Sequence, residues 1–235
     1  MKKIGLVGGT SWTSTIDYYR FINEETNKRL GSLHFAECII YSINFEHFRN
    51  YNARHNWDAT HALLANAALK LKDAGVDLIL LGANTAHIVA ERVSATVRLP
   101  LIDIRVATAK AVHQQKLTKV ALLGTVYTME LDFYKNRLVQ EGLDIIIPET
   151  KEEINFIETT LLHELGKGII LPETKQAYLA IIQRLIGRGA EGIILGCTEI
   201  PLIINQDDVS VPVFNTTLIH AQAAVELALS DVDLK

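Results

Sequence analysis

Asp77-Leu78-Ile79-Leu80-Leu81-Gly82-Ala83-Asn84-Thr85-Ala86-His87 and Glu191-Gly192-Ile193-Ile194-Leu195-Gly196-Cys197-Thr198-Glu199-Ile200-Pro201 are two versions of one segment. Each starts as an uninterrupted apolar run, which is how a strand buried on both faces of a parallel sheet reads. Each run ends in glycine, then a small residue, then hydrogen-bonding residues suited to opening a helix. The small residue is Ala83 in the first version and Cys197 in the second. A thiol therefore stands where its counterpart carries a methyl group.

Two further pairs recur in the same order. Lys3-Ile4-Gly5-Leu6-Val7-Gly8-Gly9-Thr10 answers Lys119-Val120-Ala121-Leu122-Leu123-Gly124-Thr125, and Leu99-Pro100-Leu101-Ile102-Asp103 answers Val211-Pro212-Val213-Phe214-Asn215. Measured at Thr10, Ala83 and Pro100, the offsets are 115, 114 and 112 residues. Three pairs at nearly constant spacing indicate a duplicated unit. Between the strands run segments of helical period. Residues 60–74 place Leu63, Leu64, Ala67, Ala68 and Leu71 on one face before Gly75. Residues 174–186 do the same with Tyr178, Ile181, Ile182 and Leu185 before Gly187 and Gly189. Strand and helix in alternation predict an α/β fold of two doubly wound parallel-sheet domains related by a pseudo-twofold. Ligands of such sheets bind beyond the carboxyl ends of the strands, so the expected site is a cleft between the domains. The X-Pro segments set the expected boundaries: residues 1–99 with 212–235 as the first domain, and 100–211 as the second, a final helix at 217–229 returning to the first.

Composition narrows the function. The 235 residues are 49% hydrophobic and 21% charged, ordinary for a globular chain with a real core. A net charge of −4 gives no basic footprint for nucleic acid. The apolar run after Met1-Lys2-Lys3 is too short for a signal peptide, and no stretch reaches membrane-spanning length. Two cysteines, Cys38 and Cys197, build no disulfide framework and fit a reducing compartment, so the expected location is cytoplasmic. Eight histidines, without H-E-x-x-H or clustered cysteines, carry no metal signature.

Cys197, after a buried strand and before an expected helix start, is the leading chemical residue, because such a position favours the thiolate. Its structural alternative is a small core cysteine, the reading preferred for Cys38. Asn84 and Thr85, matched by Thr198 and Glu199, suit either helix capping or a carboxylate ligand. Gly8-Gly9-Thr10-Ser11 lacks the full dinucleotide and P-loop patterns, so it fits a small-anion or substrate-facing loop better. His87 and His163 read as surface or core histidines. Lys167, Asn52 and Arg54 stand equally for substrate contacts or solvated loop residues.

The run from Gly8 to Thr15 with Tyr18-Tyr19-Arg20, then Asn84-Thr85-Ala86-His87, Gly124-Thr125 with Tyr127-Thr128-Met129-Glu130, and Gly196-Cys197-Thr198-Glu199-Ile200 resembles the aspartate/glutamate racemase family. The likeness covers essentially the whole chain, and G-C-T-E is its most specific motif. It implies an amino-acid racemase that uses no cofactor. It also implies an acidic amino acid as the small-molecule partner, held by Thr10, Asn52, Asn84, Thr85, Thr125, Lys167 and Thr198. In that family one group at each of the two motifs flanks the substrate Cα. Racemisation needs both, since a proton leaves one face and another arrives on the opposite face. The resemblance gives Cys197 to one face and Ala83, which has nothing to ionise, to the other. The expectation is impaired or one-sided racemase activity. The alternatives are a one-cysteine decarboxylase of malonate-type acids and a silent amino-acid-binding homologue. The oligomeric state is open, a homodimer included.

Overall fold

The computed structural model describes residues 1–230, so the stretch 231–235 of the expected first domain lies outside the described residues. The chain divides into two compact units, Met1–Asp103 with the chain from His220 onward, and Ile104–Ile219.

The first unit opens with β1 (Ile4–Gly8) and α1 (Trp12–Leu30), followed by β2 (Cys38–Ser42), α2 (Phe45–Ala53), α3 (Trp57–Asp73) and β3 (Leu78–Leu81). A 3₁₀ turn at Thr85–Val89 then leads into α4 (Ala90–Val97). The strands are parallel in the order β2-β1-β3. Leu101 adds a one-residue rung beside Ile79, whose N–H donates to Pro100 O at 2.8 Å while its carbonyl accepts from Ile102 N at 3.0 Å.

The second unit runs α5 (Ile104–Gln114), β4 (Lys119–Gly124), α6 (Val126–Glu130), α7 (Asp132–Gln140), β5 (Asp144–Ile146) and α8 (Lys151–His163). A 3₁₀ turn at Leu165–Lys167, then α9 (Pro172–Gly187), β6 (Ile193–Gly196) and β7 (Val213–Asn215) follow, with α10 (Thr216–Ala228) last. Its parallel sheet has the order β5-β4-β6-β7. Numbered within each unit, the sheets read 2-1-3 and 2-1-3-4, with the Leu101 rung in the fourth place of the first, the duplication that the paired segments indicate. The strand pairing refines the alignment. Ile79 faces Gly5 and Ile193 faces Ala121, so the first strands correspond at 116 residues, one more than the 115 measured at Thr10.

The same register repeats the hydrogen bonds. Ile193 N donates to Pro212 O at 2.9 Å, as Ile79 N does to Pro100 O. Asp77 N reaches Lys3 O at 2.9 Å, and Glu191 N reaches Lys119 O at 2.8 Å. The acid of each pair also holds the start of the neighbouring strand: Lys3 N donates to Asp77 Oδ2 at 2.6 Å, and Thr118 N and Lys119 N both donate to Glu191 Oε2 at 2.9 Å. Those two amides hold the Glu191 carboxyl below its usual range.

The X-Pro segments are therefore sheet edges and not crossings. Residues 100–102 stay with the first sheet, and β7 stays with the second, so the units change at Asp103 and again between Ile219 and His220, inside α10. Both changes fall later than the prolines suggest, because an X-Pro pair is extended backbone that a parallel sheet accepts at its edge.

The helices bury the faces their period predicts. Leu64, Ala67, Ala68 and Leu71 of α3 are buried, with Leu63 packed at the margin, as are Tyr178, Ile181, Ile182 and Leu185 of α9. Asn56 caps α3 by accepting from Ala59 N, and Gly75, at φ +85°, ends it. Both sides of each sheet are covered. Ile4, Leu6, Leu78 and Leu80 meet α1 and the end of α10, while Val7, Ile79 and Leu81 meet α3 and α4. In the second unit one core holds Leu123, Ile193 and Leu195 with α8 and α9, and the other holds Leu122 and Ile194 with α5 and α7.

Candidate active site

Of the predicted polar residues, Thr10, Asn84 and Thr85 follow strand ends of the first unit, and Thr125 and Thr198 follow strand ends of the second. In the first unit Gly9 turns the chain out of β1 at φ +79°. A Cβ there would stand 2.6 Å from Ile43 N, so only glycine allows this approach. The turn delivers Thr10, whose Oγ1 donates to Gly82 O at 3.1 Å and ties the β1 loop to the β3 loop. Ala83 is partly buried, and Asn84 and Thr85 are buried beside it.

The expected helix start at Asn84 is absent. Asn84 makes no side-chain cap, and the backbone takes a 3₁₀ turn. His87 explains it. In an α-helix the Ala83 carbonyl would accept the His87 backbone N–H. Here it accepts His87 Nδ1–H at 2.9 Å, and the backbone N–H goes to Asn84 O at 3.0 Å. A carbonyl only accepts, so Nδ1 carries the proton. Asn52 joins a different contact: its carboxamide oxygen accepts from Thr60 Oγ1 at 2.8 Å, linking α2 to α3.

In the second unit β4 and β6 end side by side at Gly124 and Gly196, where a Cβ on Gly124 would press on Gly196 O at 2.9 Å. Thr125 caps α6, its Oγ1 accepting from Thr128 N at 3.3 Å. The next residue, Val126, donates its N–H to Glu158 Oε2 of α8 at 2.8 Å. From the end of β6, Cys197 Sγ donates to Glu199 Oε2 at 2.9 Å, and Thr198 Oγ1 donates to the same oxygen at 2.9 Å. Lys167 stands apart, exposed on its turn, with no side-chain hydrogen bond or ion pair among the described residues.

The electrostatics reverse the expected state of the thiol. Burial pushes the Cys197 thiol well above its ordinary value, and the Glu199 carboxylate, then Glu158, raises it further. The helix that should have stabilised a thiolate is a three-residue 3₁₀ turn, Ile200–Leu202, too short for an appreciable dipole. Cys197 thus rests as a neutral thiol hydrogen-bonded to a carboxylate. Burial also raises Glu158, opposed by its Val126 amide. Tyr178 is pushed up by burial, with lesser contributions from Cys197, Glu164 and Glu158; its hydroxyl shares a 3.0 Å bond with Thr160. Glu199, from sequence only the counterpart of Thr85, is the acceptor for Cys197 and Thr198. Glu158 escaped the sequence reading altogether. Its one signal is a carboxylate between Ile157 and Leu161 on the apolar side of α8. Cys38 packs beside the apolar core of the first unit, and burial alone raises its thiol.

The family model for Asp/Glu/hydantoin racemases matches residues 7–224. The chain belongs to this racemase family. An Asp/Glu racemase candidate from Yersinia pestis is 45% identical over 97% of this chain and 100% of its own, with a TM-score of 0.90. An aspartate racemase homologue from Pyrococcus horikoshii is 39% identical over 97% and 99%, with a TM-score of 0.84. The broad-specificity amino-acid racemase RacX of Bacillus subtilis is 27% identical over 61% of this chain and 63% of its own, so that match spans less than two thirds of the relative. The two-domain architecture of this chain is thus that of the Asp/Glu racemases. Among the described residues no helix is long and apolar enough to cross a membrane, and no three His, Cys, Asp or Glu side chains converge as metal ligands would.

Proposed function

We propose that this racemase-family chain acts on aspartate or glutamate by cofactor-independent proton transfer at Cα, with Cys197 as the acid/base on one face and no matching group at Ala83. The observation that carries the reading is the Cys197 Sγ–H···Oε2 bond to Glu199 at the end of β6. Glu199 takes the thiol proton, the thiolate takes the α-proton, and the resulting carbanion is reprotonated from Cys197 or from water. The names of the Pyrococcus and Bacillus relatives support an amino-acid substrate, aspartate foremost. Thr10, Asn84, Thr85, Thr125 and Thr198 supply hydroxyl and amide groups at the strand ends for substrate carboxylates and amine. Asn52 and Lys167 remain weaker candidates, Asn52 being tied to Thr60 and Lys167 standing exposed.

The test is proton NMR of each enantiomer of aspartate and glutamate in D₂O with the protein. One enantiomer should exchange its Cα–H much faster than the other, by roughly the 10²–10⁴-fold that a general acid–base group contributes. Cys197→Ser should abolish the exchange in a folded protein, and Ala83→Cys should bring the slow enantiomer up. Equal, rapid exchange of both enantiomers by the Ala83 protein would show that another residue serves the second face.

A second reading draws on the raised thiol pKa. A resting neutral thiol whose duplicated counterpart has nothing to ionise suits protonation of a carbanion from one side only, as after loss of carbon dioxide from a malonate-type acid. Carbon dioxide release from such an acid, without Cα–H exchange of amino acids, would favour it.

A further inference from the structure

Glu158 carries a charge that the fold does not use. On α8 it lies four residues after Ile154 and three before Leu161, along the stripe that turns into the core of the second unit. An apolar residue would suit that place, yet a half-buried carboxylate occupies it. One of its oxygens, Oε2, accepts the Val126 N–H at 2.8 Å. That N–H is the first of α6, an orphan donor that needs an acceptor and not a charge. At five residues, α6 is too short for its dipole to hold an anion. A neutral glutamine would serve Val126 as well. The other oxygen, Oε1, makes no hydrogen bond, and Glu158 makes no ion pair, among the described residues.

The place of this carboxylate gives its charge a use. β4 and β6 run side by side with Gly124 level with Gly196, about 4.8 Å apart. Val126 follows Gly124 by two residues, Cys197 follows Gly196 by one, and both pack against the same core. The Glu158 carboxylate is thus held at the strand end next to the one that presents the thiol, and its charge is felt there. Val126, Glu158 and Cys197 are each partly exposed, so a small molecule can reach this rim. Burial has stripped Glu158 of water and one N–H has replaced it, so its carboxyl stands above the usual range. A cation would supply what is missing. An acidic amino acid brings one, its α-ammonium. A substrate carboxylate at the same place would instead meet two others, since Glu199 already accepts the thiol at 2.9 Å.

We infer that Glu158 Oε1 receives the α-ammonium of the substrate and so sets Cα against the Cys197 sulfur. The inference rests on the amino-acid reading proposed above and deepens it. Nitrogen and Cα are one bond apart, so holding the ammonium beside Val126 brings Cα to the neighbouring strand end. The ammonium keeps its proton, and its positive charge stabilises the carbanion formed when the thiolate takes the α-proton. The same pairing selects substrates: amino acids are accepted, and dicarboxylates without an amine are disfavoured.

Isothermal titration calorimetry of the full chain with each enantiomer of aspartate and glutamate, and with succinate and glutarate, reads the contribution of the ammonium directly. The native chain should bind its preferred amino acid roughly 10- to 100-fold tighter than the matching amine-free acid, as a hydrogen bond to a charged group is worth. Glu158→Gln keeps an acceptor for Val126 and should erase that preference with an unchanged circular dichroism spectrum. Glu158→Met, which suits the apolar stripe, should erase it too, so the outcome does not hang on one variant folding. In D₂O, Cα–H exchange by Glu158→Gln should fall far more at low amino-acid concentration than at saturation. A native chain that binds neither aspartate nor glutamate would end the amino-acid reading and this inference with it. A native preference that both variants keep in full would overturn the inference alone. So would a native chain that binds the amine-free acid as tightly as the amino acid. Undiminished amino-acid binding by Glu158→Gln, with exchange lost at saturation, would overturn it in favour of a proton-transfer role.

Discussion

Glu199 Oε2 receives the Cys197 thiol and the Thr198 hydroxyl together, both at 2.9 Å. The hydroxyl fixes which oxygen faces the sulfur, and among the described residues the carboxylate is the one group hydrogen-bonded to the thiol that can take its proton. Glu199→Gln keeps an acceptor but removes the charge. The thiol, relieved of that charge, should then titrate at lower pH, seen as thiolate absorbance near 240 nm. Cα–H exchange should nonetheless fall by roughly 10²-fold or more, because the proton acceptor is lost. A variant whose thiol titration moves while exchange stays unchanged would leave Glu199 a positioning role only. The strand-end position of Cys197 was legible in the sequence because the segment repeats, with alanine in the duplicate. Its protonation state was not. The helix-start rule presumes a helix long enough to have a dipole, and Pro201 sits in a three-residue turn instead. Glu158 was illegible for another reason: its tie to Val126 spans 32 residues and leaves no local pattern.

The elements that present these residues depend on a few backbone positions. Gly9 and Gly75 both have positive φ, +79° and +85°, but their surroundings differ. A Cβ on Gly75 would meet nothing within 4 Å, so Gly75→Ala should cost only the strain of the left-handed backbone, about 1 kcal/mol. A Cβ on Gly9 would strike the Ile43 backbone and Ser42 Oγ, parts of the sheet that cannot yield cheaply. Gly9→Ala should therefore cost several kcal/mol, roughly 3 or more, and displace Thr10 from Gly82 O as well. Denaturant melts of the two variants would test the contrast; equal losses would mean that the β1 loop adjusts freely. Strands and long helices were legible at this scale because period and glycine stops report them directly. The segments after β3 and β6 were misread because capping residues promise a helix, whereas after β3 the His87 imidazole takes the carbonyl an α-helix needs, and after β6 the chain makes only the 3₁₀ turn Ile200–Leu202.

Across the whole chain, duplication was the readable feature, and both sheets share the 2-1-3 order, extended by β7 in the second and by the single Leu101 rung in the first. Where the chain changes unit was less readable, since an X-Pro pair looks the same as a linker or as a sheet edge. Nor does the sequence announce the buried polar group that links the late part of the chain to the early part. His220 of α10 is fully buried, with Nε2 bonded to Ile102 O and Nδ1 to the Tyr18 hydroxyl, each at 2.8 Å, and His87 stands 5.5 Å away ring to ring. Ile102 can only accept, so Nε2 carries the proton and Tyr18 donates to Nδ1. Burial, and then His87, lowers the His220 pKa to about 3. Its unfolded value is about 6.5, so between these two values the unfolded chain binds a proton that the folded chain refuses. Stability from the neutral imidazole is thus fully present above about pH 6.5 and is lost as pH falls toward 3, by up to about 1.4 kcal/mol per unit. His220→Gln can keep both bonds, donating to Ile102 and accepting from Tyr18, without titrating. Calorimetric melts from pH 7 to pH 4 should show a shallower acid loss for His220→Gln than for the native chain, the gap in slope approaching one proton. Superimposable slopes would mean that His220 is protonated equally in both states and that other groups set the acid limit.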